Sequence, residues 1–161
     1  MAKSISKNSN KRKVIFVCTG NTCRSPMAEF LFKKFLKTNK ITNVTVTSAG
    51  LNAEGMMTAE ARAALAYLDV PFTKHKAKQL NSLMVDKNDL VVCMTASHKR
   101  LITAHMGNLS KIVTVCEVTG GKDVSDPYGM DIETYISVAK YLEYACKDIM
   151  DKLNNITTQN E

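Results

Sequence analysis

The sequence predicts an α/β domain in which a central four-stranded parallel sheet carries helices on both faces. Three observations predict it. Short, β-branched apolar runs alternate with segments of helical apolar spacing along the whole chain. The 161 residues, 45% of them hydrophobic, suffice for one domain that buries roughly 70% of its unfolded surface. No internal repeat or second composition break divides the chain, and alternating strands and helices close most readily as right-handed crossovers.

The first strand is expected over residues 13–18, an apolar run ending in Cys18. The loop from Thr19 to Arg24 leads to a helix over 26–37, with Ser25 as N-cap, Pro26 at the first helical position and Met27, Phe30, Leu31 and Phe35 on one face. Residues 43–47 ("NVTVT") read as a second strand ended by Ser48-Ala49-Gly50, and 58–68 as a helix capped by Thr58. A helical turn over 81–85 precedes a third strand over 89–94. A helix over 97–106 stops at Gly107, and residues 111–115 ("KIVTV") form the fourth strand. Residues 116–130 read as a long polar, Gly-rich connection, and 131–153 as a closing helix. The domain is thus expected over 13–153, between a basic disordered tail at 1–12 and a polar tail at 154–161.

Charge and cysteine usage exclude several classes. The net charge of +7 is concentrated in Lys3, Lys7, Lys11, Arg12 and Lys13; beyond residue 13, 17 basic residues face 15 acidic ones. A run of this kind reads as a solvated tail, so no nucleic-acid partner is expected. It has no apolar core and does not read as a secretory signal. No stretch approaches the roughly 20 apolar residues of a membrane span, so no membrane partner is expected either. Five irregularly spaced cysteines do not make a secreted disulfide framework, which places the chain in the cytoplasm. Cys93, Cys116 and Cys146 sit in apolar runs and read as buried small hydrophobes. His75, His98 and His105 are scattered and no CxxC pair accompanies them, so neither metal nor cofactor is expected.

The loop after the first strand carries the chemistry. In such sheets ligands bind beyond the carboxyl ends of the strands. The amides of Thr19, Gly20, Asn21, Thr22, Cys23 and Arg24 have no obvious strand or helix partners, and with a helix N-terminus beneath them they make an anion cradle. The same positive field, joined by Arg24, favours Cys18 as a thiolate. Arg24 can grip two phosphate oxygens at once, as lysine cannot. A leaving group needs a proton, and Asp126 in "DPYG" is the leading donor, stiffened by Pro127, with Tyr128 as an aromatic wall. Asp123 is the weaker candidate.

Cys18-x5-Arg24-Ser25-Pro26 together with Asp126-Pro127-Tyr128 resembles the low-molecular-weight protein tyrosine phosphatase family over residues 13–153. The resemblance implies a cysteine-dependent phosphoprotein phosphatase. In it Cys18 becomes a phosphocysteine, Arg24 and the loop amides bind phosphate, and Asp126 protonates the leaving group before activating water. It also implies supporting roles for Asn21, Ser25, Ser48 and His75, which shape the loop and stabilise the thiolate. Phosphorylated proteins are the expected substrates and a monomer the expected state.

Two positions depart from the tyrosine-specific pattern. Thr22 stands where a bulky apolar residue usually precedes the second cysteine, and Gly129 follows Tyr128 where a second aromatic is usual. "CTGNTCRSP" with "DPYG" resembles instead the family's bacterial protein-arginine phosphatase branch, so phosphoarginine is the leading substrate, phosphotyrosine the alternative, and Thr22 and Tyr128 the selecting residues. An arsenate reductase of this fold needs a further close cysteine pair, whereas Cys93 and Cys116 lie 23 positions apart. Phosphocarrier proteins need neither Arg24 nor a general acid. Cys23 has two readings, a packed thiol or a redox partner forming a reversible disulfide with Cys18.

Overall fold

The computed structural model describes residues 11–158. Four strands, β1 (Arg12–Cys18), β2 (Val44–Gly50), β3 (Leu90–Cys93) and β4 (Ile112–Thr114), pair in the order β2-β1-β3-β4, all parallel. The chain leaves β1 toward β2 on one side and returns to β3 on the other. The order therefore reverses beside the end of β1, where α/β sheets open a crevice for ligands. Cys18 is the last residue of that strand.

The pleat of β1 sorts its side chains between two cores. Val14, Phe16 and Cys18 face one side, packed with α1 (Arg24–Thr38), α2 (Ala59–Tyr67) and α6 (Ile132–Thr158). Ile15 and Val17 face the other, with Val85 of α3 (Ser82–Lys87) and Ile102 of α4 (Ala96–Met106). Burial on both sides is why the central strands read as continuous apolar runs. In α6, Tyr135, Val138, Ala139, Leu142, Cys146, Ile149, Met150 and Leu153 are buried, a stripe at three- and four-residue spacing. Asp131 caps this helix: its carboxylate accepts the Thr134 amide at 2.9 Å and hydroxyl at 2.7 Å, which hold it below the usual carboxylate range.

Several expected boundaries move. The first strand begins at Arg12, inside the segment assigned to the tail. The first helix begins at Arg24 with Cys23 in the cap position, because the Ser25 hydroxyl turns to Cys18 and is not the cap. β2 continues through Ser48 to Gly50, pairing with Phe16, Val17 and Cys18, so "SAG" is strand and not a turn. Val115, expected as the end of the fourth strand, leaves the sheet to open α5 (Val115–Thr119), the rest of which lies in the segment read as connection. Its signal is present in the sequence: the Thr114 hydroxyl accepts the Glu117 amide at 3.0 Å, the Thr-x-x-Glu of a capping box, and Gly120 ends the helix at φ +70°. α6 runs to Thr158, beyond the predicted start of the polar tail. Cys93 and Cys146 are buried as expected, whereas Cys116 is only half-buried. The rest of the basic tail, residues 1–10, lies outside the described residues.

Candidate active site

The loop from Thr19 to Cys23 is clamped against the start of the next crossover. Leu51 donates its amide to Cys18 C=O at 3.0 Å, Asn52 to Thr19 C=O at 2.9 Å and Thr58 to Thr22 C=O at 3.0 Å. With its carbonyls bound outward in this way, the loop keeps its amides for a ligand. The approach is so close that a Cβ at Gly50 would lie 2.5 Å from the Thr19 carbonyl oxygen and 2.9 Å from the Asn21 nitrogen. Only glycine fits there. Gly50→Ala is expected to cost about 1–3 kcal/mol of stability and to lower kcat/KM by about 10²-fold through a displaced loop. Denaturant unfolding and steady-state kinetics on the one variant check both.

Asn21 holds the shape of the loop. It is buried, sits at φ +56° in the left-handed region and makes three sets of bonds. Its Nδ2 donates to Ser25 Oγ at 2.8 Å and Ser48 Oγ at 2.9 Å. Its Oδ1 accepts the Lys78 amide at 2.9 Å. His75 Nε2 lies 3.1 Å from both the Asn21 carbonyl oxygen and Oδ1, two acceptors that fix the proton on Nε2. Burial lowers the pKa of His75 from 6.5, which favours this neutral, donating ring.

Ser25 delivers the end of this network to sulfur. Its Oγ lies 2.8 Å from Cys18 Sγ and 3.5 Å from the Ala49 carbonyl oxygen. Because Oγ already accepts from Asn21, its own proton is free for the shorter of these contacts, to Cys18. The Asn21 amide adds a second donor at 3.3 Å. Two donors are thus aimed at one sulfur. At the far end Ser48 donates to Glu29 Oε1 at 2.8 Å, and Lys33 Nζ pairs with Glu29 Oε2 at 2.8 Å. Cys18, Ser25, Asn21, Ser48 and Glu29 thus form one continuous buried chain.

Arg24 lies on the other flank. Its side chain is nearly buried, with Nη1 donating to the Val124 carbonyl at 3.1 Å and Nη2 3.6 Å from Asp126 Oδ2. Asp126 is more than half exposed at the mouth, where its Oδ1 accepts the Tyr128 amide at 3.2 Å in a local turn. The structure also separates the two candidate acids. Both oxygens of Asp123 accept the Ala96 amide, at 3.2 and 3.3 Å, so Asp123 anchors the start of α4, whereas Asp126 faces the arginine.

All of this surrounds a cleft of about 550 Å³ lined by Cys18, Thr22, Arg24, Asp126 and Tyr128 among others. Ser25, Ser48 and His75 stand behind it. Cys23 Sγ lies 3.4 Å from Tyr135 Oη and 3.6 Å from Thr58 Oγ1, and Cys18 and Cys23 are both free thiols.

Sequence reasoning misses three supports. Gly50 stands in a segment that reads as a turn. Glu29 lies in a helical pattern with nothing to single it out, yet it is buried at the end of the Asn21 network. His98 joins Thr19 Oγ1 at 2.9 Å to Thr95 Oγ1 at 3.0 Å. Burial first, then the positive charge of Arg24, lowers its pKa to about 4, so it braces the loop as a neutral ring. The Thr95-x-x-His98 spacing at a helix start is the available signal.

Comparison with known proteins agrees with this geometry. The family model for low molecular weight phosphotyrosine protein phosphatase matches residues 13–159. A protein-arginine-phosphatase of Bacillus subtilis is 39% identical over 145 residues, covering 87% of this chain and 95% of its own. The low molecular weight protein-tyrosine-phosphatase PtpB of Staphylococcus haemolyticus is 34% identical over 139 residues, covering 82% and 93%. Among solved structures, a YwlE arginine phosphatase whose active-site cysteine is replaced by a phosphorylated serine superposes with a TM-score of 0.81 at 38% identity, covering 88% of this chain and 95% of that one. The chain belongs to the low molecular weight phosphotyrosine protein phosphatase family and is a phosphatase.

Proposed function

We propose that this chain is a protein-arginine phosphatase that works through a phosphocysteine at Cys18. The observation that carries the substrate assignment is the lining of the cleft. Thr22 presents a small hydroxyl-bearing side chain where an aryl ring would want an apolar surface, and Tyr128 is the one aromatic among the lining residues. The 39% identity to a protein named for arginine dephosphorylation supports the same reading.

Cys18 Sγ attacks phosphorus in line with the P–N bond while Arg24 and the loop amides take the charge on the phosphoryl oxygens. The bond pair stays with the leaving nitrogen, which takes the Asp126 proton and departs as guanidinium. Protonation matters because neutral guanidine is strongly basic and its unprotonated form leaves poorly. Asp126, now a carboxylate, then takes a proton from water as that water attacks phosphorus and breaks the S–P bond. Phosphate is released, and Ser25 and the Asn21 amide receive the returning thiolate.

The five free cysteines support a reducing, cytoplasmic setting, and no described helix is long and apolar enough to cross a membrane. We further propose that the enzyme acts on phosphorylated proteins as a monomer without metal or cofactor. The test is kcat/KM on matched phosphoarginine and phosphotyrosine peptides, run with chelator, for wild type and Asp126→Ala. The wild type is expected to prefer phosphoarginine, and Asp126→Ala to lower kcat on it by about 10²-fold or more. Full activity in Asp126→Ala would remove the acid assignment.

A further inference from the structure

Glu54 is an acidic group of the cleft that the steps above do not use. It lines the same cavity as Thr22, Asp126 and Tyr128. The segment that carries it is tied down on two sides: the Glu54 amide donates to the Gly20 carbonyl of the phosphate loop at 3.3 Å, and the Gly55 carbonyl accepts the Ala77 amide at 2.9 Å. Gly55 sits at φ +80° and turns the chain there. The Glu54 side chain is therefore presented from a backbone held in register with the phosphate cradle. Its carboxylate enters no hydrogen bond or ion pair among the described residues.

An unpaired carboxylate is out of place in a cleft built for phosphate, because like charge opposes binding there. Arg24 does not neutralise it, since that guanidinium bonds to Val124 and faces Asp126. Glu54 is exposed and solvated in the free enzyme, and a positive group carried by the ligand would offset its charge when phosphate binds. A phosphorylated arginine supplies one: just beyond the P–N bond it carries a delocalised positive charge and several N–H donors. A phosphotyrosine ring offers neither.

We propose that Glu54 is a specificity-determining residue whose carboxylate accepts hydrogen bonds from the guanidinium of the phosphorylated arginine while the Cys18 loop holds the phosphoryl group. This inference rests on the phosphoarginine reading above. The two acids of the cleft then have separate roles, Asp126 moving the proton and Glu54 binding the side chain that departs. Because the guanidinium is present before and during the reaction, the contact acts mainly on KM.

The experiment compares the full chain and its Glu54→Gln, Glu54→Asp and Glu54→Lys variants on peptides of one sequence carrying phosphoarginine or phosphotyrosine at the same position. Glu54→Gln is expected to raise KM for the phosphoarginine peptide about tenfold with kcat little changed, and to leave the phosphotyrosine peptide within about twofold. Glu54→Asp should recover part of the loss, and Glu54→Lys should deepen it. Inhibition by inorganic phosphate, which probes the cradle alone, should be no weaker in Glu54→Gln than in wild type. Equal losses on both peptides, or no loss on either, would overturn the Glu54 assignment while a wild-type preference for phosphoarginine left the parent reading intact. A wild type that prefers phosphotyrosine overturns both.

Discussion

Cys18→Ser is expected to abolish turnover, with a loss on the order of 10⁵-fold, while the cradle still binds phosphate. The chain of Glu29, Ser48, Asn21 and Ser25 does not depend on the sulfur for its own bonds, since each link up to Ser25 is made between oxygen and nitrogen atoms. The loop also remains stitched to Leu51, Asn52 and Thr58 through backbone alone. What would be lost is the sulfur that Ser25 and the Asn21 amide face; a serine hydroxyl in the same place is a weaker nucleophile and, once phosphorylated, a poorer leaving group. Phosphate dissociation constants near the wild-type value, measured by direct binding beside lost turnover, are the expected pattern. Loss of phosphate binding together with turnover would mean that Cys18 shapes the loop and does not act on phosphorus.

Arg24→Lys is the second large effect, a fall in kcat/KM of about 10²–10³-fold despite the retained charge. Arg24 is buried and already bound through Nη1 to the Val124 carbonyl, so its fork has a fixed orientation. Lysine is a flexible point charge that cannot bond Val124 and two equatorial oxygens in one plane. It would also loosen the Asp126 loop, which the guanidinium approaches at 3.6 Å. The loss should appear in kcat as well as KM, because the equatorial oxygens gain charge toward the transition state. A variant within about threefold of wild type would show that charge alone suffices and that the planar grip contributes nothing.

The parts of the site legible in the sequence are those coded locally. Cys18, the loop and Arg24 lie within seven consecutive residues, at a strand end and a helix start that each leave a pattern of their own. The parallel sheet is legible because β1 and β3 are buried on both faces and so lack polar alternation. The supports that escape a sequence reading act across long stretches of chain. Gly50 matters only because β2 pairs with β1 in a register that sets it against Thr19 and Asn21. Glu29 and His98 look like ordinary polar positions of amphipathic helices until the fold turns them toward Ser48 and Thr19. Ser25 misleads in the opposite sense: Ser-Pro is a strong helix-start signal, yet its hydroxyl bonds Cys18 because the helix begins two residues earlier than expected, at Arg24.

Thr22 is the residue on which the substrate assignment turns. It lines the cleft without taking part in the Asn21 network, its hydroxyl lying 3.8 Å from Cys23 Sγ. Isoleucine in its place removes the hydroxyl and supplies apolar area of the kind a phenyl ring packs against. The most direct measurement is the ratio of kcat/KM for phosphoarginine over phosphotyrosine peptides in wild type and Thr22→Ile. The account predicts a wild-type ratio above one that Thr22→Ile lowers by about tenfold or more, a shift of about 1.4 kcal/mol in relative transition-state binding. A wild-type preference for phosphotyrosine that Thr22→Ile leaves unchanged would contradict it.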